Sequence, residues 1–390
     1  MATNSFPSLS PPVPTLPMKS SELELIQAIH ASPMRAVIAM TGGGSSAIGE
    51  LLTVPGGSQT VLDAQVPYSL AALSEWLGAE PEQACCERTA RAMAMAAFMR
   101  ARKLDDSDAA IAGVAVTASL ATDRPKRGEH RIHVAYQTRS TTCALSLVLA
   151  KGARTREQEE TLTARLVLHA LAEAAGLRSR MELELLSNEK VTRRQVDGQQ
   201  DWQKLLSGEV PFVSSQSRGA TDTIAIYPGA FNPLHAGHVE IAALAEEILD
   251  CHLLYELSIA NVDKPPLDYV EIESRAVQFE GKPLLLTSAA TFVEKAKLFP
   301  NTTFVVGADT IARIGDARYY GGSIRQRDMA IAELAELGAK FLVFGRQISG
   351  EYQSLKTLGL PRSLVQISTA VAESTFRKDL SSSELRHSLH

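Results

Sequence analysis

Two histidines, His235 and His238, stand in the segment YPGAFNPLHAGHVEIA, which begins at Tyr227. The residues before it, DTIAI, have the character of a buried strand, and VEIAALAEEIL after it carries apolar residues at helical spacing. The pair therefore falls at a strand-to-helix turn. A helix N-terminus presents backbone N–H groups without intrahelical partners, and such groups bind anions, phosphate above all. One helical turn apart, both imidazoles can face the same bound anion and each can donate an N–H to a phosphate oxygen. Gly229 lets the backbone approach a ligand closely, Phe231 anchors the turn, and Pro233 stiffens the approach to His235. An arbitrary HxxH pair is more simply two exposed polar residues, so the surrounding string has to decide.

The elements that must position this turn form a regular alternation. From TIAIY onward come a helix beginning near His238, the strand LLYELSIA, a helix around YVEIESRAVQF, the strand PLLLT, the helix AATFVEKAKLF and the strand TTFVVG. The helix IRQRDMAIAELAELG, the strand KFLVFG and a last strand near SLVQIS complete the series. This pattern predicts an α/β, Rossmann-like, doubly wound parallel sheet over 223–390, in which ligands bind at the carboxyl ends of the strands. Upstream, residues 21–176 alternate helices (CERTARAMAMAAFMRAR, REQEETLTARLVLHALAEAAG) with strands (RAVIAM, AIAGVAVT, HRIHVAYQ), giving a second α/β domain. Between the two, 177–222 is polar and irregular and is expected to be a linker. Residues 1–20, rich in Pro and Ser without an apolar stretch, are expected to be a disordered tail.

With 390 residues and 45% apolar content, the chain has enough material for two cores. A formal net charge of -5 and the absence of a basic patch argue against a nucleic-acid partner. No apolar run approaches the ~20 residues of a membrane span. Cys85, Cys86, Cys143 and Cys251 have neither zinc nor CxxC spacing and fit reduced thiols in a cytoplasmic protein.

GAFNPLHAGH satisfies the pattern GxFxPxHxGH, and 221–390 resembles the HxGH nucleotidylyltransferase superfamily, particularly the nicotinamide and nicotinate mononucleotide adenylyltransferases. FVVGADT matches that family's strand followed by GxD, and LSSSELR matches its SSTxxR, with Ser383 where the family has Thr. The resemblance implies transfer of AMP from ATP, with Mg²⁺ riding on the triphosphate, to a small phosphorylated acceptor, with loss of pyrophosphate. It also implies the roles of individual residues. His235, His238 and Arg386 would be catalytic, gripping the triphosphate and neutralising the leaving charge. Gly229, Ala230, Phe231, Gly237, Ser381, Ser382 and Ser383 would bind the nucleotide, and Lys264, Arg275, Gly307 and Asp309 the second substrate. No protein metal site is expected. Transfer of CMP, or a different acceptor, remains open, since the sequence does not reveal the base pocket, and so does a catalytically silent nucleotide-binding regulatory or scaffold protein.

TGGGSSAIGELLTVPGGSQTVLDAQVPYSLAALSEWLG resembles the nicotinamide-nucleotide amidase (CinA C-terminal) family, whose pattern runs ESCTGG, VPGxS, TYSNxxK. The serine nucleophile of that pattern aligns with Ala39 and its lysine partner with Leu73. Alanine has no oxygen to attack with and leucine cannot move a proton. The family's ITGxAGP is altered to VTASLAT as well. The resemblance thus implies an inactive amidase fold with Ser45, Ser46 and Tyr68 as remaining polar groups, left to form a homo-oligomer, bind a nucleotide or dock a partner.

Overall fold

The computed structural model describes residues 20–105, 110–123, 126–215, 224–262, 264–348 and 351–376. The chain opens with α1 (Ser20–Ala31), β1 (Met34–Thr41), α2 (Ser46–Thr53), α3 (Gly57–Thr60), β2 (Val61–Gln65), α4 (Leu70–Leu77) and α5 (Glu87–Leu104). It continues through β3 (Ala110–Ser119), β4 (His130–Thr138), β5 (Thr141–Leu149), α6 (Arg156–Ala174) and β6 (Thr192–Asp197). The six strands form one sheet in the order β2-β1-β3-β4-β5-β6. β1 runs parallel to β2 and β3, and the remaining neighbours are antiparallel.

Small residues decide how closely α5 lies on this sheet. Ala90, Ala94, Ala97 and Ala101 pack against Val37, Ala39, Ala115, Ala135 and Ala144. A Cβ on Gly113 would fall 2.1 Å from Phe98 N, so only glycine admits the helix at that height. On the opposite face, Leu25, Ile26 and Ile29 of α1 and the apolar stripe of α6 close a larger core. The result is a layer of sheet between two layers of helix.

The second sheet is built from β7 (Phe212–Ser214), β8 (Ile224–Pro228), β9 (His252–Ser258), β10 (Leu284–Thr287), β11 (Thr303–Gly307), β12 (Lys340–Phe344) and, past the hairpin β13 (Arg346–Ile348) and β14 (Glu351–Gln353), β15 (Ser368–Ala370). Its order is β15-β12-β11-β8-β9-β10-β7, all parallel except β7. Set aside β7 and this is the doubly wound order, in which the winding direction reverses between β8 and β11. The helices are α7 (Gln200–Ser207), α8 (Ala236–Leu249), α9 (Tyr269–Ala276), α10 (Phe292–Leu298), α11 (Ala308–Ile314), α12 (Ile324–Glu336) and α13 (Arg362–Gln366).

Two expectations from sequence need correction. Segment 177–222, expected as a linker, contributes β6 to the edge of the first sheet and β7 to the edge of the second, with α7 between them. TRRQVD has an almost wholly exposed burial pattern, so its pairing with β5 supplies the strand and no apolar alternation announces it. SLVQIS, expected as a strand, belongs mostly to α13, and β15 starts only at Ser368. Short apolar runs do not distinguish the two states.

The two domains share a core. Met95 and Phe98 of α5 pack in one cluster with Trp202, Tyr255 and Tyr269. No helix among the described residues is long and apolar enough to cross a membrane.

Candidate active site

β8 and α8 meet at the reversal point of the second sheet, and the turn between them carries both histidines. Phe231 takes φ 42, a left-handed conformation costly for a side chain of that size, yet it is 1% exposed. Its ring packs edge-on against Tyr227, Tyr255, Phe279 and His238. Gly229 makes room for it, since a Cβ there would lie 2.6 Å from the Phe231 ring. The phenylalanine is thus the anchor expected from sequence, and the glycine serves the anchor as well as any ligand.

His235 is the N-cap of α8 and His238 sits in the first turn, with the two rings stacked at 3.7 Å between centroids and 24° between planes. The His235 backbone N–H donates to His238 Nδ1 at 3.3 Å. An accepting Nδ1 leaves the hydrogen of the neutral ring on Nε2. Burial first, then the His235 ring and the Arg346 guanidinium, push the His238 pKa down to about 4. At neutral pH His238 is therefore an uncharged imidazole whose donor is Nε2. Gly237 lies against the His235 ring, where a Cβ would stand 3.1 Å away.

The turn is held from behind by α9 and its continuation. Arg275, expected at the substrate, is 7% exposed, and its Nη1 donates to the Ala230 carbonyl at 3.3 Å while Nη2 donates to Glu271 at 2.9 Å. Gln278 donates to the Phe231 carbonyl at 3.3 Å and accepts from the Leu234 N–H at 2.7 Å. Ala230 itself is exposed. Arg275 is therefore placed to shape the turn, a role its position on a charged helix face did not suggest.

Across the reversal point, Gly307 ends β11 and Asp309 opens α11. A Cβ on Gly307 would stand 2.7 Å from Asp309 Oδ1, so the glycine lets the carboxylate fold back over the strand end. Arg346 Nη1 donates to Asp309 Oδ1 at 3.2 Å, and neither side chain is fully buried. Sequence inspection missed Arg346. Its only signal was a basic residue at the carboxyl end of the strand KFLVFG. Lys264 is exposed and makes no hydrogen bond or ion pair with the described residues. Ser381, Ser382, Ser383 and Arg386 lie outside the described residues. A cavity of about 390 Å³ is lined by Val262, Arg318, Tyr319 and Gly321, from the loops after β9 and α11. Among the described residues no three His, Cys, Asp or Glu side chains group as a metal site.

Residues 226–388 match the family model described as cytidylyltransferase-like. Over those residues the C-terminal domain is cytidylyltransferase-like. The match spans both histidines, Asp309, Arg346 and the serines of LSSSELR. No curated protein matches the chain. Among solved structures, the N-terminal part is similar to the competence/damage inducible protein CihA from Agrobacterium tumefaciens, with 22% identity over 41% of this chain and 99% of that one and a TM-score of 0.32. It is similar also to a competence-damaged protein (CinA) superfamily protein from Escherichia coli, at 19% identity over 40% of this chain and 94% of that one, TM-score 0.31.

At the amidase-like positions of that N-terminal part, Ala39 and Leu73 are 0% and 1% exposed and belong to one apolar cluster. Both positions hold buried hydrocarbon side chains. Tyr68 is exposed at 66%, and Ser45 donates to Glu160 at 3.0 Å.

Proposed function

We propose that the transferase domain moves AMP from ATP, bound as its Mg²⁺ complex, to the phosphate of nicotinamide or nicotinate mononucleotide. A phosphate oxygen of the mononucleotide attacks the α-phosphorus, the new P–O bond forms, and the bond to the β-phosphate bridging oxygen breaks as pyrophosphate leaves with its electron pair. The nucleophile is already ionised at neutral pH, so the site needs no general base. What it must supply is alignment of two anions and donors aimed at the charge that develops.

The observation that carries this proposal is the stacked His235–His238 pair at the N-terminus of α8, at the reversal point of the sheet. A neutral His238 with its hydrogen on Nε2 donates to a phosphate oxygen without a proton changing hands. Asp309 and Arg346 are bonded to each other and the Arg346 charge acts on His238, the carboxylate suited to a ribose hydroxyl and the guanidinium to a phosphate. Ser382 and Arg386 are assigned to the leaving phosphates, with Ser381 and Ser383 beside them. The acceptor's planar base would stack on the half-exposed Tyr319 ring beside Arg318. We propose a cytoplasmic location, in which the four unbridged cysteines stay reduced.

The match to a cytidylyltransferase-like family favours a second version of the same chemistry, CMP transfer to another phosphorylated small molecule. Pyrophosphate release by the purified protein, with ATP or CTP, Mg²⁺ and a panel of phosphorylated acceptors led by the two mononucleotides, separates the two. Release with ATP and a mononucleotide, abolished in His238→Ala, is expected. Release only with CTP, or only with an acceptor lacking a pyridine ring, would replace the first version with the second.

A further inference from the structure

An unbroken line of charged contacts runs from the N-terminal domain to the triphosphate turn. Arg91 of α5 is 3% exposed, although nothing in the sequence of its own domain requires a buried cation there. Its Nη1 donates to Asp268, and its Nη2 donates to Glu271 Oε1 at 3.4 Å. The Glu87 carboxylate lies 3.3 Å from its Nε. Asp268 is the N-cap of α9, accepting from the Glu271 N–H at 2.8 Å. The other oxygen of Glu271 accepts from Arg275 at 2.9 Å, and Arg275 reaches the Ala230 carbonyl, the residue between Gly229 and Phe231. Burial is the largest influence on all three groups: the surrounding carboxylates together outweigh it at Arg91 and the surrounding guanidinium groups together outweigh it at Glu271, whereas at Asp268 it prevails over Arg91 and holds the carboxyl above its ordinary pKa.

The start of α9 is fixed by the same domain. The Tyr269 N–H donates to Thr142 Oγ1 at 3.0 Å, and its hydroxyl donates to the Arg139 carbonyl. The Tyr269 ring lies over Gly198, where a Cβ would stand 2.5 Å away. The helix that holds the turn is thus seated on the neighbouring domain at its N-terminus and reaches the turn from its C-terminus. Buried ion pairs contribute little net stability compared with apolar contacts of the same volume. What they can supply is orientation.

We propose that the N-terminal domain acts on the transferase reaction through Arg91, a positioning residue that orients Glu271 and Arg275 and so fixes the Ala230 carbonyl in the triphosphate-binding turn. This gives a role to a domain whose amidase positions are Ala39 and Leu73, and it rests on the proposed function of the turn.

The test uses the full-length protein as Arg91→Met, Glu271→Gln and the double variant. Two quantities are measured: ATP affinity in Mg²⁺ by calorimetry, and amide exchange of residues 229–238. Each single variant is expected to weaken ATP binding roughly 2- to 30-fold, the range of coupling carried by such networks, and to accelerate exchange in the turn. Because the residues act in series, the double variant should be no worse than the weaker single. Effects that multiply in the double variant would overturn the relay and leave only a glued interface. If Arg91→Met does not fold, Glu271→Gln decides alone, since Arg91 keeps Asp268 there, and unchanged affinity and exchange would refute the proposal. Should the wild type bind no nucleotide and turn over no acceptor, the proposed function fails. Exchange at 229–238 still rules on the relay in that case.

Discussion

Each domain carries a glycine-containing turn that leads from a parallel strand into a helix, and the two turns are in opposite states. After β1, Gly42 and Gly44 take φ of 81 and 88, and a Cβ on Gly42 would stand 1.9 Å from the Ala118 carbonyl oxygen. The helix that follows already has an anion: Glu160 Oε1 accepts from Ser45 Oγ at 3.0 Å and from the Ser46 N–H at 3.4 Å. On the opposite face of β1 from that helix, Ala39 and Leu73 belong to an apolar cluster. After β8, the first turn of α8 carries two stacked imidazoles, one held uncharged, and the side chains that brace it from behind are Arg275 and Gln278. The same backbone device is satisfied by a carboxylate of its own domain in one case and carries the imidazole pair in the other. A glycine-rich turn therefore says little about function until the source of its anion is known.

The comparison would break most visibly if the first site could be rebuilt. Ala39→Ser with Leu73→Lys restores the two residue types of the amidase pattern, but it places an ammonium group in a cluster of alanine, valine and leucine side chains. A loss of about 4 kcal/mol or more is expected, the scale of burying an unpaired charge, read as a fall in the chemical denaturation midpoint. An unchanged midpoint would mean that the position has access to water and that the site is not closed.

His238→Ala is the corresponding test of the second turn. It should lower kcat/KM by ~10²-fold or more, the effect of losing one preorganised donor, and near wild-type turnover would remove His238 from the mechanism. Stability supplies an independent check. The folded-state pKa of about 4 lies below the ordinary 6.5, so between those values the unfolded chain binds more protons. Wild-type stability should rise with pH through that window and be lost as pH falls through it. His238→Ala should flatten this dependence, as thermal melting at intervals of pH would show.

The second domain was more legible in sequence than the first, for physical reasons. Its parallel strands are covered on both faces, so LLYELS and FVV stand out as apolar runs between helical patterns. The GAFNPLHAGH turn could be placed between β8 and α8 because both neighbours were recognisable. The residues that sequence inspection missed act at long range. Arg346 reaches Asp309 only because the sheet sets β12 beside β11. Arg91 lies 177 positions from Asp268, and on its own helix it has the spacing of an ordinary surface charge. Periodicity reports which face is buried; it carries no information about which charge crosses to another domain.

Arg346→Met sharpens the second half of the comparison with a smaller effect. Loss of the guanidinium opposite Asp309 is expected to lower kcat/KM about 10-fold, the scale of one charged hydrogen bond. It should also let the His238 pKa rise part of the way toward its ordinary value, because burial and His235 remain. The acidic limb of the rate profile would then move to higher pH. An unmoved limb with reduced kcat/KM would mean that Arg346 serves the substrate alone.

The smallest effect is expected at Glu160, and it tests whether the two turns are independent. Its side chain is 20% exposed and pairs with Arg156 at 3.7 Å, while Arg156 also donates to the Gly42 carbonyl at 3.0 Å. Glu160→Ala withdraws the internal anion from the start of α2 but leaves the glycine backbone and the apolar cluster in place. A charge near a helix N-terminus is worth about 0.5 kcal/mol when partly solvated, so the melting midpoint should fall only slightly. Sulfate should restore it more in the variant than in the wild type, because the freed Ser46 N–H then donates to an external anion. Transferase kcat/KM should not change, since Glu160 touches neither α5 nor α9 in the described contacts. A fall in turnover at an unchanged midpoint would show that the first turn communicates with the second. The line from Arg91 would then be one branch of a wider coupling between the domains.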